Sequence, residues 1–385
     1  MSAPTLAHDH AASPESRHRD GRRRRPRRPI RGREGLWGWI FASPLVTVLG
    51  LFLLVPILMA VWVSLLDWNG QSNPFTSSAD FVGLDNYTDL LLHDGLDRQQ
   101  FMTAVRNNLY YVLLVVPLQT IVSLGLALAV NQRLLRARGL FRTAFYFPSV
   151  TSSIAISTVF LFLFQGGGTV NTLLGMLGID GPNWFTDARG LTWVVLDALG
   201  LVDSARPPAA LAGHELFGLP WSEWLAGPSV AMCTIIALAV WTTSGTFMLI
   251  FLAALQDVPA ATEEAARIDG ANRWQVFRHV TLPALRPVVF LVLTLGLIGT
   301  WQVFDQVYVM SQGAPGNTTL TPAYLSYTAG FNDGHYGKGA AIAFVLLAVI
   351  VALTLVQRWL LRERDGSRFL SRTTKQRRTM RKADQ

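Results

Sequence analysis

Cysteine is nearly absent: Cys233 is the only one in 385 residues. A single thiol excludes a disulfide framework and a cysteine metal site within one chain. The seven histidines are scattered, with no H-E-x-x-H or comparable ligand spacing, so no metal and no metal-dependent catalysis is expected. No G-x-x-x-x-G-K-[ST] loop occurs, which leaves the chain without a recognisable cradle for ATP. A catalytic constellation is missing as well, and no repeat of obvious period stands out. Charge is also scarce: 15% of residues are charged and 50% hydrophobic, a balance unusual for a soluble domain of this length.

The apolar residues lie in long charge-free runs. They predict an all-α membrane protein with six spans at about 37–66, 107–130, 143–164, 228–255, 287–310 and 339–360. Each run is long enough to cross roughly 30 Å of hydrocarbon at about 1.5 Å per residue. Pro44, Pro56, Pro117 and Pro148 fall inside these runs and are expected to kink the helices without breaking them, because neighbouring helices satisfy freed carbonyls in a membrane. The first run is about twice the length of a signal-peptide core and lacks a small-residue cleavage pattern, so it is expected to be retained.

Positive charge sets the expected orientation. Of the 33 Lys and Arg, 28 fall before the first span, between the second and third, between the fourth and fifth, or after the sixth; only Arg98, Arg189 and Arg206 lie on the other side, with Arg106 and Lys338 at span edges. The positive-inside rule then places both termini in the cytoplasm. Residues 1–34 and 363–385 are expected to be basic cytoplasmic tails flanking a membrane-spanning domain at 35–362, the first disordered for want of apolar surface. The Arg22–Arg25 run resembles a nucleic-acid tract in composition, but beside a span it is read as a topology signal that meets anionic lipid, with no nucleic-acid partner. Residues 165–227 are expected to form a small external subdomain, with Trp221 and Trp224 at the interface.

The segment 257–283, on the cytoplasmic side, predicts two short helices with a sharp joint. Asp257 or Val258 opens the first, with Pro259 in its first turn. Gly270 ends it in a left-handed conformation, and Asn272 with Gln275 caps the second. Trp274, Phe277 and Val280 recur on one face, which suits either the protein's own interior or a partner's groove.

Within it, Glu264-Ala265-Ala266, then Gly270, then nine residues and Val280-Thr281-Leu282-Pro283, resembles the EAA loop of binding-protein-dependent ABC importers. The family pattern has Ile where this chain has Val280. Phe81-Val-Gly-Leu-Asp-Asn-Tyr87, Phe304-Asp-Gln-Val-Tyr-Val-Met310 and Gly313-Ala-Pro-Gly316 are similar to elements of the maltose-type carbohydrate branch. The resemblance runs from about Gly35 to Leu361; the second outer loop departs from it, being longer near Leu191 to Leu225 than in short members.

The resemblance implies an importer type I permease acting with a second, related permease, two ATP-binding subunits that hold ATP and Mg, and an extracytoplasmic solute-binding protein, in a bacterial cytoplasmic membrane. It implies that Glu264, Ala265, Ala266, Asp269, Gly270, Leu282 and Pro283 form the ATPase-coupling contact, for uptake of a sugar, polyol or glycerol-phosphate compound. From the residues themselves, Asn108, Gln119, Thr242, Ser244, Trp301, Gln302 and Asp305 are candidates for a solute pathway, Asp305 because an ionisable group near hydrocarbon is a functional suspect. Glu263 and Glu264 also suit a first helical turn on dipole grounds alone. The alternative class, an ion-coupled transporter working alone, calls for buried charges at mid-membrane, and the charge-free runs, ending at Phe304 and Gln357 in the last two spans, count against it together with the EAA loop.

Overall fold

The computed structural model describes residues 34–76, 79–132, 137–201 and 213–360. Both basic tails, apart from Glu34, and the Arg206-Pro207-Pro208 stretch lie outside the described residues. The described chain forms two units, one ending at Ile57 and one beginning at Leu58.

In the first unit, α1 (Glu34–Leu49) carries Pro44 in its interior and runs into a π-helical turn, Gly50–Leu54. α2 (Val55–Val63) follows, with Pro56 at its second position. The turn closes by a bond from the Val55 N–H to the Gly50 carbonyl, five residues back, immediately before the proline that has no N–H to offer.

In the second unit, the end of α2 leads into a two-residue ladder of β1 (Leu66–Asp67) with β2 (Asp80–Phe81), Leu66 opposite Phe81. The Phe81 to Tyr87 motif is a clamp on this corner. Gly83 takes φ +62°, which turns the chain into α3 (Asp85–Leu91). Asn86 Nδ2 then donates to the carbonyls of Ser64 and Leu66 at 3.0 and 3.1 Å, and the Tyr87 hydroxyl meets Ser64 Oγ at 2.7 Å. Those carbonyls follow the last turn of a helix and would otherwise lack donors.

α4 (Leu96–Asn131) is a 36-residue helix that continues unbroken through Pro117. α5 (Arg138–Val150) and α6 (Ser153–Leu163) meet at 97°. α5 runs through Pro148 as expected of a tolerated proline, and the chain breaks just after it, at residues 151–152. Pro148 withholds the N–H that would close the turn onto Ala144. Immediately after Val150, the last residue of α5, the backbone is extended at Thr151, whose hydroxyl donates to the Phe147 carbonyl at 2.9 Å. α7 (Thr169–Met176), α8 (Leu191–Ala198), a small hairpin of β3 (Glu215–Leu216) with β4 (Leu219–Pro220), and α9 (Trp221–Trp224) make up the described part of the 165–227 segment. Trp224 faces inward there, its Nε1 donating to the Leu216 carbonyl at 3.0 Å.

α10 (Val230–Gln256) packs along α4 as the central pair. Ser229 caps it by accepting from the Met232 N–H at 3.1 Å. After the hook described below come α14 (Arg286–Trp301), α15 (Asp305–Met310), α16 (Pro322–Tyr327) and α17 (Tyr336–Leu360). Among the described residues four helices are long and apolar enough to cross a membrane, or six if the α5–α6 pair and the pair bent by 67° before α14 each count as one span.

Candidate functional site

The hook between α10 and α14 is built from local signals. α11 (Ala260–Ile268) starts one residue later than expected, with Pro259 itself as the N-cap in extended conformation. Asp269 ends it and Gly270 follows at φ +85°. A Cβ at Gly270 would meet no atom within 4 Å, so glycine serves the backbone angle there and not the space. α12 (Arg273–Val276) opens on a complete capping box: Gln275 N–H donates to Asn272 Oδ1 and Asn272 N–H to Gln275 Oε1, both at 2.8 Å. Such a cap contributes about 1 kcal/mol to a helix of this length. A π-helical turn, Phe277–Thr281, and α13 (Leu282–Ala284) return the chain to the bundle.

Two faces of the hook differ sharply. Val276 and Thr281 are buried, and Leu285 is fully enclosed beside Phe251, Leu255 and Val292. Leu282 and Pro283 are half-buried on this same anchored side. The other face carries Glu264, Ala265, Asp269, Ile268 at 86% exposure and Trp274 at 64%. Ala266 lies between, half-buried. Trp274 therefore parts from the inward face, although its ring stays 5.5 Å from that of Phe277. The two glutamates also separate. Glu263 turns to its own chain, pairing with Arg267 and accepting from Thr281 Oγ1, each at 3.4 Å. Glu264 is exposed, one helical turn from Ile268.

Deeper in the bundle, α4, α10, α14 and α15 enclose a cavity of about 290 Å³. Gln119, Gln302 and Asp305 line it. Gln119 is fully buried; its Oε1 accepts from Thr243 Oγ1 at 2.7 Å, while its Nε2 has no partner among the described residues. Asp305 is exposed in the first turn of α15, where a carboxylate meets the positive end of the helix dipole. The other sequence candidates lie elsewhere. Trp301 packs with Val112, Val116, Leu346 and Ile350. Asn108 is fully buried away from the cavity, and the hydroxyls of Thr242 and Ser244 are spent on carbonyls of their own helix.

The sequence reading passed over Thr243 in favour of its neighbours. The signal that finds it is phase: Ala239, Thr243 and Phe247 line the cavity at four-residue steps on α10, as Tyr111, Val115 and Gln119 do on α4. The anchor Leu285 was missed for a related reason, since it lies two residues past the motif.

A second, wider cleft of about 560 Å³ opens at the other end of α4 from the hook, walled by α4, α8 and α9. On its rim Arg189 grips Asp187, with Nη2 at 2.7 Å from Oδ2 and Nε at 3.0 Å from Oδ1. This guanidinium holds the Asp187 carboxyl below the usual carboxylate range. A lowered carboxyl pKa stabilises the fold above the unfolded-state value and loses that contribution as pH falls through the folded one. Asp187→Asn is therefore expected to make proteolysis of the 165–227 segment faster at neutral pH and less sensitive to acid than in the parent, as limited digestion between pH 3 and 7 would record.

Residues 121–365 match the family described as the binding-protein-dependent transport system inner membrane component. The chain is 30% identical over 330 residues to the lactose transport system permease protein of Rhizobium radiobacter, covering 85% of this chain and 94% of that protein. It is 31% identical over 321 residues to the arabinooligosaccharides transport system permease protein of Bacillus subtilis, covering 83% and 86%. To the trehalose/maltose transport system permease protein of Thermococcus litoralis it is 29% identical over 328 residues, covering 85% and 94%. In fold it is similar to a chain of a bacterial ABC transporter involved in the import of the acidic polysaccharide alginate, with a TM-score of 0.63, 20% identity, and coverage of 86% of this chain and 99% of that one.

Proposed function

Since the chain belongs to the family of binding-protein-dependent transport system inner membrane components, we propose that it is a permease subunit of a carbohydrate importer, forming half of the solute pathway and coupling it to separate ATPases. The observation that carries the coupling is the two-faced hook. Leu285 fastens one side to the bundle, with Val276 and Thr281 also buried, while Glu264, Ile268 and Trp274 stand out on the other. An exposed apolar pair, Ile268 on α11 and Trp274 on the capped α12, together with the Glu264 carboxylate, suits insertion into a partner's groove.

In this reading the chain has six spans, the bent α5–α6 pair counting as one and α14 as another, with both termini and the hook in the cytoplasm of a bacterium. Two ATP-binding subunits receive the hooks of this chain and of a second, related permease, and their ATP and Mg supply the driving energy. A solute-binding protein delivers to the opposite face. The fastened side makes the hook a stiff lever, so closure of the ATPases shifts the bundle between two packings. The coupling set is then Glu264, Ala265, Ala266, Asp269, Gly270, Leu282 and Pro283, with Ile268 and Trp274 added. Gln119, Gln302 and Asp305 present amide and carboxylate groups to the cavity, with Tyr111 and Phe304 as aromatic walls, a combination suited to hydroxyls and sugar faces. The transported class, a sugar or oligosaccharide, rests on relatives named for lactose, arabinooligosaccharides and trehalose/maltose.

Co-purification with the neighbouring gene products tests the proposal. ATP hydrolysis by the assembled complex is expected to rise when the binding protein and one sugar among lactose, maltose, trehalose and arabinotriose are both present. Solute uptake by this chain alone, driven by an ion gradient, would defeat the reading.

A further inference from the structure

The wide cleft at the far end of α4 is not part of the cavity, and the 165–227 segment builds much of its wall through Gly190, Trp193 and Glu223. Its lining is about half polar, and its charges are balanced. Gln99 and Gln100 contribute amides, Thr103 and Ser222 hydroxyls, and Arg106 is paired with Glu223. Arg106 is only 7% exposed, and its Nη2 donates to Asn107 Oδ1 at 3.1 Å, yet its Nε–H has no acceptor among the described residues. The Glu223 side chain is 46% exposed, with one carboxylate oxygen taken by Arg106. The nearby Arg189 is occupied by Asp187. Every cation here has its anion, so the cleft does not select for charge; what it offers is many donors and acceptors in a volume of ligand size.

Its place on α4 links it to the cavity. Gln99, Thr103 and Asn107 line the cleft and Tyr111, Val115 and Gln119 the cavity, one series at four-residue steps. Thr103 and Gln119 are separated by about 24 Å of helix. Between the two compartments the series is closed. Asn107 Nδ2 donates to the Asn317 and Leu320 carbonyls at 2.7 and 3.0 Å, tying α4 to the loop before α16, and Tyr111 is buried beneath it.

We propose that this cleft is a carbohydrate-holding site, in which a sugar rests above the Asn107 closure before it enters the membrane cavity. The inference rests on the reading of the chain as a carbohydrate permease. A neutral polyol suits paired donors and acceptors, whereas a docked protein segment would seek an apolar anchor pocket, and the cleft's one large aromatic, Trp193, is 93% covered by its own fold, at 7% exposure.

The test uses the complete importer in nanodiscs, without its binding protein, carrying Thr103→Cys in a Cys233→Ala background. Maleimide labelling is timed with lactose, maltose, trehalose or arabinotriose added singly. One of the four is expected to slow labelling by about tenfold at ten times its Kd. Adding Gln100→Ala with Ser222→Ala is expected to weaken that protection, and adding Gln119→Leu, in the cavity, to leave it intact. If none of the four protects, or if Gln119→Leu alone removes the protection, the holding site is wrong. ATP hydrolysis stimulated by binding protein plus sugar is measured on the same preparation. Stimulation without protection overturns the cleft alone; absence of both overturns it together with the carbohydrate reading. Protection by sugar-free binding protein, with none from the four sugars, overturns it in favour of a protein-docking surface.

Discussion

Trp274→Asp is expected to leave the chain folded in the membrane and to weaken its capture of the ATPase subunits by about 30- to 1000-fold, an amount that corresponds to roughly 2–4 kcal/mol for an aromatic anchor at the centre of an interface. The size follows from where the side chain sits. Trp274 is 64% exposed, so its removal uncovers no core, and its single ring neighbour, Phe277, is itself half-buried against the hook. An aspartate there must be desolvated inside any apolar groove that receives Ile268 and Trp274 together. The measurement is co-purification of ATPase subunits with the variant in detergent, beside thermal unfolding of the isolated chain. Unchanged capture with unchanged unfolding would show that the exposed face of the hook is not the contact. Glu264→Arg is the companion: it reverses a charge on an exposed side chain with no polar partner among the described residues, so it is expected to lower ATP-coupled uptake without lowering the unfolding temperature.

The hook was legible in the sequence because its signals are local. Asn272 and Gln275 are three residues apart and close a box that depends on nothing beyond them, and Gly270 is needed for a backbone angle that a neighbour cannot supply. Which face of the hook is free was not legible, since it depends on contacts such as Thr281 with Glu263, 18 residues apart, that no short window contains. The same division holds in the bundle. Long charge-free runs mark the helices, but α4 begins at Leu96, well before its charge-free run. Asp97 and Arg106 interrupt the apolar pattern and are tolerated through partners distant in sequence, Lys338 and Glu223. Gln119 was found because an amide inside a span is conspicuous. Thr243 was not, because a hydroxyl among Thr242, Thr243 and Ser244 is distinguished only by helical phase, and phase acquires meaning once the facing helix is known.

The break between α5 and α6 shows what the sequence withholds, and it sets the second large expectation. Ser149 Oγ donates to the Thr242 carbonyl at 2.5 Å and accepts from the Thr246 N–H at 3.1 Å, the two groups that an α-helix pairs with each other at this step of α10. One hydroxyl thus stands within the hydrogen-bond ladder of a neighbouring helix. That approach requires Gly245, where an added Cβ would press on the Phe145 carbonyl and lie 2.6 Å from Ser149 Oγ and 2.9 Å from Tyr146 Cα. Two of those three atoms are backbone and cannot swing aside, so α5 itself must shift. Overpacking a core costs about 1–3 kcal/mol when side chains can yield. Gly245→Leu is expected at or above the upper end of that range, about 3 kcal/mol or more, because it also separates Ser149 from the Thr242 carbonyl and the Thr246 N–H. Gly125→Ala is the control: it lies in α4 with nothing within 4 Å of its would-be Cβ, so it is expected to stabilise by up to about 1 kcal/mol through helix propensity. Thermal unfolding in detergent should move down for Gly245→Ala and further down for Gly245→Leu, and up for Gly125→Ala. A Gly245→Ala chain as stable as the parent would mean that α5 and α10 do not meet at this point, and that the serine hydroxyl has no place in the ladder.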